Sequence, residues 1–134
     1  MEPTGRLDCQ ETARFYRGIV ARNVQELGFA PGLALLLGSE DPGSVLYRDL
    51  ILRDCEALGI RASSVLVRNR EQLLGTVDAL NRDPRIHGIF VFYPLGLPGI
   101  KDDEVMDLVD PGKDIEGLHS VNIGYLNKFR KRLD

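Results

Sequence analysis

Apolar residues along this chain alternate between helical spacing and short compact runs, which predicts helices and buried strands in turn. Between Glu11 and Leu27 the apolar positions recur every three or four residues, so an amphipathic helix is expected there. Its expected inward face consists of Phe15, Ile19, Val20, Val24 and Leu27. Gly28 is a typical C-terminal stop for such a helix, and Pro31 prevents its continuation.

Three segments are predicted as strands: 33–38 (LALLLG), 61–67 (RASSVLV) and 88–94 (GIFVFYP). The first and third are apolar on both faces, which is typical of strands inside a parallel sheet. Helices are expected between and after them at 42–58, 70–81 and 102–109, with Asp41 and Asp102 as N-caps and Gly59 as a stop. This βαβαβ order predicts an α/β fold, a three-layer αβα domain with a mostly parallel sheet.

Composition narrows the class of protein. With 134 residues and a net charge of −3, the chain suits one slightly acidic domain and gives no electrostatic support for binding nucleic acid or a membrane. Cys9 and Cys55 are too far apart for a metal or redox motif, and two free thiols favour a reducing compartment. The chain shows no secretory signal and no apolar run long enough to cross a bilayer, so a cytoplasmic location is expected.

Ligands of open parallel sheets bind beyond the carboxyl ends of the strands. Three stretches are expected at that edge: GSEDPGSVLY with Ser44 and Tyr47, the loop FYPLGLPG, and the polar loop KDIEGLHSVNIG. Each loop has two open interpretations, a ligand-holding segment or an ordinary solvated turn. The histidines His87 and His119 stand alone, so no metal site is expected, and no GxGxxG, Walker, GxSxG or HExxH motif occurs.

Four stretches in order resemble one family: PGLALLLGSEDPGSVLY, CEALGI, DPRIHGIFV and KDIEGLHSVNIGYL. The family is methylenetetrahydrofolate dehydrogenase/cyclohydrolase, and the resemblance is to its folate-binding catalytic domain, an N-terminal domain like that of amino-acid dehydrogenases. It implies that Tyr47 stacks on the aminobenzoyl ring of the folate and that Glu116 hydrogen-bonds the pterin, both as catalytic residues. The substrate-binding residues implied by the resemblance are Ser44, Tyr47, Val91, Phe92, Tyr93, Pro94 and Glu116.

Three positions depart from the family pattern. Ile51 stands where bifunctional enzymes carry the lysine of the cyclohydrolase step, and Phe92 stands where the family has a supporting glutamine. Glu116 replaces the aspartate of the family sequence KDVDG. The resemblance therefore implies an NAD- or NADP-dependent dehydrogenase that has lost hydrolysis, most like the monofunctional NAD-dependent branch.

The resemblance also implies an organisation. Residues 1–126 are expected to form the folate-binding domain, and residues 127–134 to begin a linker towards a nucleotide-binding domain absent from this chain, in a homodimeric full-length enzyme. No residue of this chain is expected to bind the nucleotide, and the expected partner is a small-molecule folate. Two alternatives stay open: a degenerate, non-catalytic folate or pterin module, and a dehydrogenase for another substrate.

Overall fold

A computed structural model describes residue 5 and residues 8–129 of the chain. The strands are β1 (Gly32–Leu37), β2 (Arg61–Leu66) and β3 (Gly88–Val91). The helices are α1 (Gln10–Leu27), α2 (Pro42–Leu58), α3 (Arg70–Arg82), α4 (Asp102–Met106) and α5 (Ser120–Phe129). The order β1–α2–β2–α3–β3 is the predicted βαβαβ unit, so this part of the fold is confirmed.

The strands form a parallel sheet in the order β2–β1–β3, with β1 in the middle. Gly32 pairs with Arg61 on one side, and Leu33 pairs with Gly88 on the other. Because all three strands run the same way, the segments that leave their carboxyl ends meet at one edge of the sheet.

Side chains of β1 point alternately to two separate cores, one on each face of the sheet. Leu36 packs with Leu73 and Val77 of α3 and with Val105 of α4. Leu35 and Leu37 pack on the opposite face, with residues of α2. Helices therefore cover both faces, and the predicted three-layer αβα architecture is confirmed.

The predicted helix ends of α1 and α2 are confirmed in detail. The Asp41 carboxylate accepts a hydrogen bond from the Ser44 backbone N–H at 3.0 Å, as expected of an N-cap, and Pro42 begins α2. Gly28 and Gly59 both adopt left-handed backbone angles, with φ of 71° and 78°, where a side chain would add strain.

Two predicted element ends are wrong. β3 ends at Val91 rather than Pro94, so Phe92 and Tyr93 belong to the loop that leaves the strand. The helix predicted at 102–109 ends at Met106, and its N-cap is Lys101. Asp102 does not cap it, because its carboxylate accepts a hydrogen bond from the Leu95 N–H at 3.1 Å and so fastens the preceding loop.

Two further expectations need correction. The segment 113–124 is not a polar loop throughout, because α5 begins at Ser120. The expected inward face of α1 is not buried: the exposed fractions of Phe15 and Leu27 are 64% and 50%, and no α1 residue is buried. Of the linker predicted at 127–134, residues 127–129 end α5, and residues 130–134 lie outside the described part of the chain.

The two cysteines are not bonded to each other: Cys9 is exposed and Cys55 is buried, as expected of a small core residue. Among the described helices none combines the length and the apolar character that crossing a membrane requires.

Candidate functional site

An open cavity of about 420 Å³ lies at the carboxyl edge of the sheet, where β3 ends and α2 begins. Aromatic rings and carboxylates make up most of its lining. The lining residues are Asp41, Gly43, Ser44, Tyr47, Phe90, Val91, Phe92, Tyr93 and Glu116. The size suits a small-molecule site, and its place at the sheet edge is where such folds bind ligands.

The wall of this cavity is built from three aromatic rings. Tyr47 meets Phe90 and Phe92 edge to face, with ring centroids 6.1 and 5.7 Å apart, and the two phenylalanines lie 5.0 Å from each other. Phe92 is only 8% exposed, whereas Tyr47 is 51% exposed. The phenylalanines therefore anchor the wall in the core and leave the tyrosine ring available to a ligand.

Ile51 follows Tyr47 by one helical turn on the same side of α2. Its side chain is partly buried and packs against the core cluster that contains Leu35, Leu37 and Phe92. Ile51 does not line the cavity. Tyr47 and Ile51 thus divide one helical face into a ligand-facing part and a core-facing part.

Tyr93 also lines the cavity, and it packs against the core cluster that contains Leu36 and Val91. Burial raises the pKa of its phenol, and the nearby carboxylates of Asp102, Glu116 and Asp114 raise it further. The Tyr93 hydroxyl is therefore protonated at neutral pH and can donate a hydrogen bond to a ligand.

The turn KDIEG is fastened to the sheet and to two helices. The Ile89 N–H of β3 donates to the Lys113 carbonyl at 2.8 Å, and the Lys113 ammonium donates to the carbonyls of Leu80 and Asp83, each at 2.8 Å. Asp114 accepts hydrogen bonds from the His119 N–H and from the Asn122 side-chain amide, at 2.8 and 2.9 Å. These contacts fix the position of the turn that carries Glu116.

The two carboxylates of this turn differ in their surroundings. Burial alone would raise the pKa of Asp114, but hydrogen bonds from the Asn122 amide and from backbone N–H groups outweigh it, so that pKa is lowered. Glu116 is exposed and lines the cavity, and its carboxylate has no hydrogen-bond or ion-pair partner among the described residues. Partial burial and the Asp114 charge raise the pKa of Glu116. Glu116 is thus a carboxylate with free acceptor sites, suited to a ligand that offers N–H groups.

The cavity brings together six of the seven residues expected as substrate-binding from the sequence: Ser44, Tyr47, Val91, Phe92, Tyr93 and Glu116. Pro94 is exposed and does not line it. Asp41, Gly43 and Phe90 also line it but were not expected as ligand contacts. Phe90 could have been found from the sequence, because residues two apart on a strand share a face, as Phe90 and Phe92 do.

A second open cavity, of about 560 Å³, lies between the end of β2 and α3, where Arg68, Gln72 and Thr76 are its polar lining residues. No aromatic residue and no carboxylate of the described part of the chain lines it. Across the part of the chain that the structure describes, no three His, Cys, Asp or Glu residues are grouped to hold a metal ion.

Comparison with known proteins agrees with the fold and with the sequence resemblance. The chain is 42% identical over 126 residues to the bifunctional protein FolD of Ralstonia pickettii, covering 90% of this chain and 43% of that protein. The fold matches N5,N10-methylenetetrahydrofolate dehydrogenase-cyclohydrolase of Trypanosoma brucei, solved with NADP cofactor and an inhibitor, with a TM-score of 0.84 and 28% identity over 94% of this chain and 45% of that one.

A third relative is the NAD-dependent 5,10-methylenetetrahydrofolate dehydrogenase of Saccharomyces cerevisiae, with a TM-score of 0.78 and 25% identity over 88% of this chain and 38% of that one. The chain thus spans less than half the length of the proteins it matches. Residues 7–116 match the family described as tetrahydrofolate dehydrogenase/cyclohydrolase, catalytic domain. Both the sequence and the fold therefore show that this chain belongs to the tetrahydrofolate dehydrogenase/cyclohydrolase family, as part of its catalytic domain.

Proposed function

We propose that this chain is the folate-binding catalytic domain of an NAD- or NADP-dependent 5,10-methylenetetrahydrofolate dehydrogenase that lacks cyclohydrolase activity. The family membership supports the substrate class. The loss of hydrolysis is supported by one observation: among the described residues, no lysine, arginine or histidine lines the cavity. Ile51, at the position of the family lysine, packs against the core.

Hydrolysis and oxidation of the folate require different chemical groups in the site. Hydrolysis of the methenyl compound requires an activated water and a group that moves protons, the task that the family lysine assists. Oxidation of the methylene carbon requires that the folate be held with this carbon facing the nicotinamide, which accepts the hydride. An aromatic wall and a fixed carboxylate are suited to positioning the folate, and neither Ile51 nor Phe92 can activate water.

In this proposal the cavity residues orient the folate. The half-exposed Tyr47 ring stacks on the aminobenzoyl group, and the free carboxylate of Glu116 accepts hydrogen bonds from the pterin. The Tyr93 hydroxyl, held protonated, donates to a ligand acceptor at the same end of the cavity. Carboxylates at Asp41 and Glu116 make the cavity a poor site for nucleotide phosphates, so the nucleotide is expected to bind elsewhere in a longer polypeptide.

The test uses a polypeptide that joins this chain to a nucleotide-binding domain of the same family. NAD(P)H formation from methylenetetrahydrofolate is followed in one assay, and loss of the methenyl absorption band in a second. The proposal predicts NAD(P)H formation without accelerated hydrolysis. Rapid hydrolysis by the unmodified protein would contradict the loss of cyclohydrolase activity, and folate binding without NAD(P)H formation would favour a non-catalytic folate module.

A further inference from the structure

The charged residues that line the cavity are acidic. Asp41 and Glu116 line it, and Asp102 and Asp114 lie close enough to raise the pKa of Tyr93. Among the described residues, no lysine, arginine or histidine lines it. The nearby turn does contain Lys113, but its ammonium is directed to the carbonyls of Leu80 and Asp83 rather than to the cavity.

The N-terminus of α2 also lies at this cavity and would by itself favour an anion. Asp41 already occupies that position: it accepts the Ser44 N–H at 3.0 Å and the Ser39 hydroxyl at 2.7 Å. These hydrogen bonds lower the pKa of Asp41 to about 2, so it is ionised at neutral pH. The helix end is therefore covered by a negative charge.

Aromatic rings next to carboxylates are the chemistry that recognises a flat cation. Ring quadrupoles attract positive charge, and an ionised carboxylate adds direct attraction at the rim of the same cavity. Tyr47, Phe90 and Phe92 supply the rings, and Glu116 supplies a carboxylate without a partner among the described residues.

We infer that this cavity selects the charge state of the folate, binding the methenyl cation more tightly than folates whose one-carbon group is neutral. The inference rests on the proposed function. When the methylene C–H bond breaks, the hydride carries both electrons to the nicotinamide, and the folate becomes a cation whose charge is shared by two nitrogens. A site that prefers this cation also stabilises the positive charge that develops during hydride transfer.

The departures from the family pattern at Ile51 and Phe92 also affect the expected affinity for the cation. A lysine one turn from Tyr47 would place a positive charge near the cationic bridge and repel it. An isoleucine at position 51 removes that repulsion, and Phe92 adds apolar surface to the lining of the cavity. Loss of hydrolysis and preference for the cation are thus two expected consequences of the same substitutions.

The experiment measures the affinity of the 134-residue chain for two ligands by titration calorimetry: 5,10-methenyltetrahydrofolate and 5-formyltetrahydrofolate. These share the pterin and the anionic tail but differ in the charge of the one-carbon group, and the methenyl absorption band verifies that the cation stays intact. The unmodified chain is expected to bind the cation about tenfold more tightly.

Glu116→Gln keeps the shape of the side chain and removes its charge, so it is expected to reduce this preference, while Asp41 and the aromatic rings remain in place. Glu56→Gln, an exposed carboxylate near the far end of α2, is the matched control and is expected to leave the preference unchanged. Equal affinity of the unmodified chain for both ligands, or an unaltered preference in Glu116→Gln, would overturn the inference and leave the proposed function standing. Binding of neither folate would overturn both.

Discussion

Replacing Phe92 by the glutamine of the family pattern tests whether the aromatic wall is part of the core. Phe92 is 8% exposed, packs with Leu35 and Leu37, and pairs edge to face with Tyr47 and Phe90. Truncation of a buried phenylalanine costs about 3–5 kcal/mol. Glutamine restores some of the volume, but an amide without partners in an apolar core costs about 1–3 kcal/mol. We expect Phe92→Gln to reduce the free energy of unfolding by about 4 kcal/mol, a large share of the stability of a small domain.

Urea denaturation followed by far-UV circular dichroism measures this change. Phe15→Gln is the matched control, because Phe15 is 64% exposed and pairs only with Tyr16 among the described aromatic residues, so a loss below about 1 kcal/mol is expected. Equal losses in the two variants would refute the conclusion that the wall is anchored through Phe92.

The same measurement in combination with Ile51→Lys tests how the two departures from the family pattern are linked. Ile51 and Phe92 belong to one packed cluster, so the effects of Ile51→Lys and Phe92→Gln on stability should not add. We expect a coupling of at least about 0.5 kcal/mol between them. Strict additivity would contradict the packing of Ile51 and Phe92 in one cluster.

Three further predictions concern affinity, packing and pH. Tyr47→Ala should weaken folate binding per folded molecule by about 1 kcal/mol or more, from lost ring stacking, as calorimetry would measure; unchanged affinity would contradict the role of Tyr47 as a ligand contact. Gly38→Ala should destabilise the fold by more than about 2 kcal/mol in urea denaturation, because the new Cβ would lie 2.0 Å from the Leu95 carbonyl oxygen; a neutral result would contradict this packing. The pKa of Asp41 is lowered from 3.8 to about 2, so its charge stabilises the folded state above pH 3.8 and this contribution is lost as the pH falls towards 2. The stability advantage of the unmodified chain over Asp41→Asn should therefore shrink across that range in acid titrations of unfolding, and a constant difference would contradict the assignment.

The parts of the fold that could be predicted from the sequence are those set by local chemistry. Asp41 and Pro42 specify the start of α2 through a cap and a fixed φ, and Gly59 specifies its end through a left-handed conformation. The continuous apolar run of β1 likewise indicates a strand buried on both faces, because neighbouring side chains point to opposite faces of the sheet. Such signals depend only on a few adjacent residues.

The failures of prediction depend on contacts between distant segments. Periodicity shows which face of α1 is apolar, but whether this face is covered depends on other parts of the chain, and Phe15 stays exposed among the described residues. Asp102 has the residue type of an N-cap, yet it bonds to Leu95 in the preceding loop. Phe92 was assigned to a strand that ends one residue earlier, because apolar character alone does not report where the pairing with β1 stops.

In the candidate site, too, some features could be predicted from short sequence motifs and others depend on contacts between distant segments. Tyr47 and Glu116 were expected from motifs that lie 69 residues apart in the sequence, and the cavity brings both into one lining. The fastening of the KDIEG turn by Lys113 and Asp114 could not be predicted, because both residues bond to atoms of α3 or α5. The contribution of Phe90 could be predicted, because it lies two residues before Phe92 and shares its face.

A crystal structure of this chain with a bound reduced folate would show directly whether the cavity holds the ligand. We predict the aminobenzoyl ring against Tyr47, the pterin within hydrogen-bonding distance of the Glu116 carboxylate, and no basic side chain within contact of the one-carbon group. A folate bound outside the cavity, or a lysine or arginine directed at that group, would contradict this prediction.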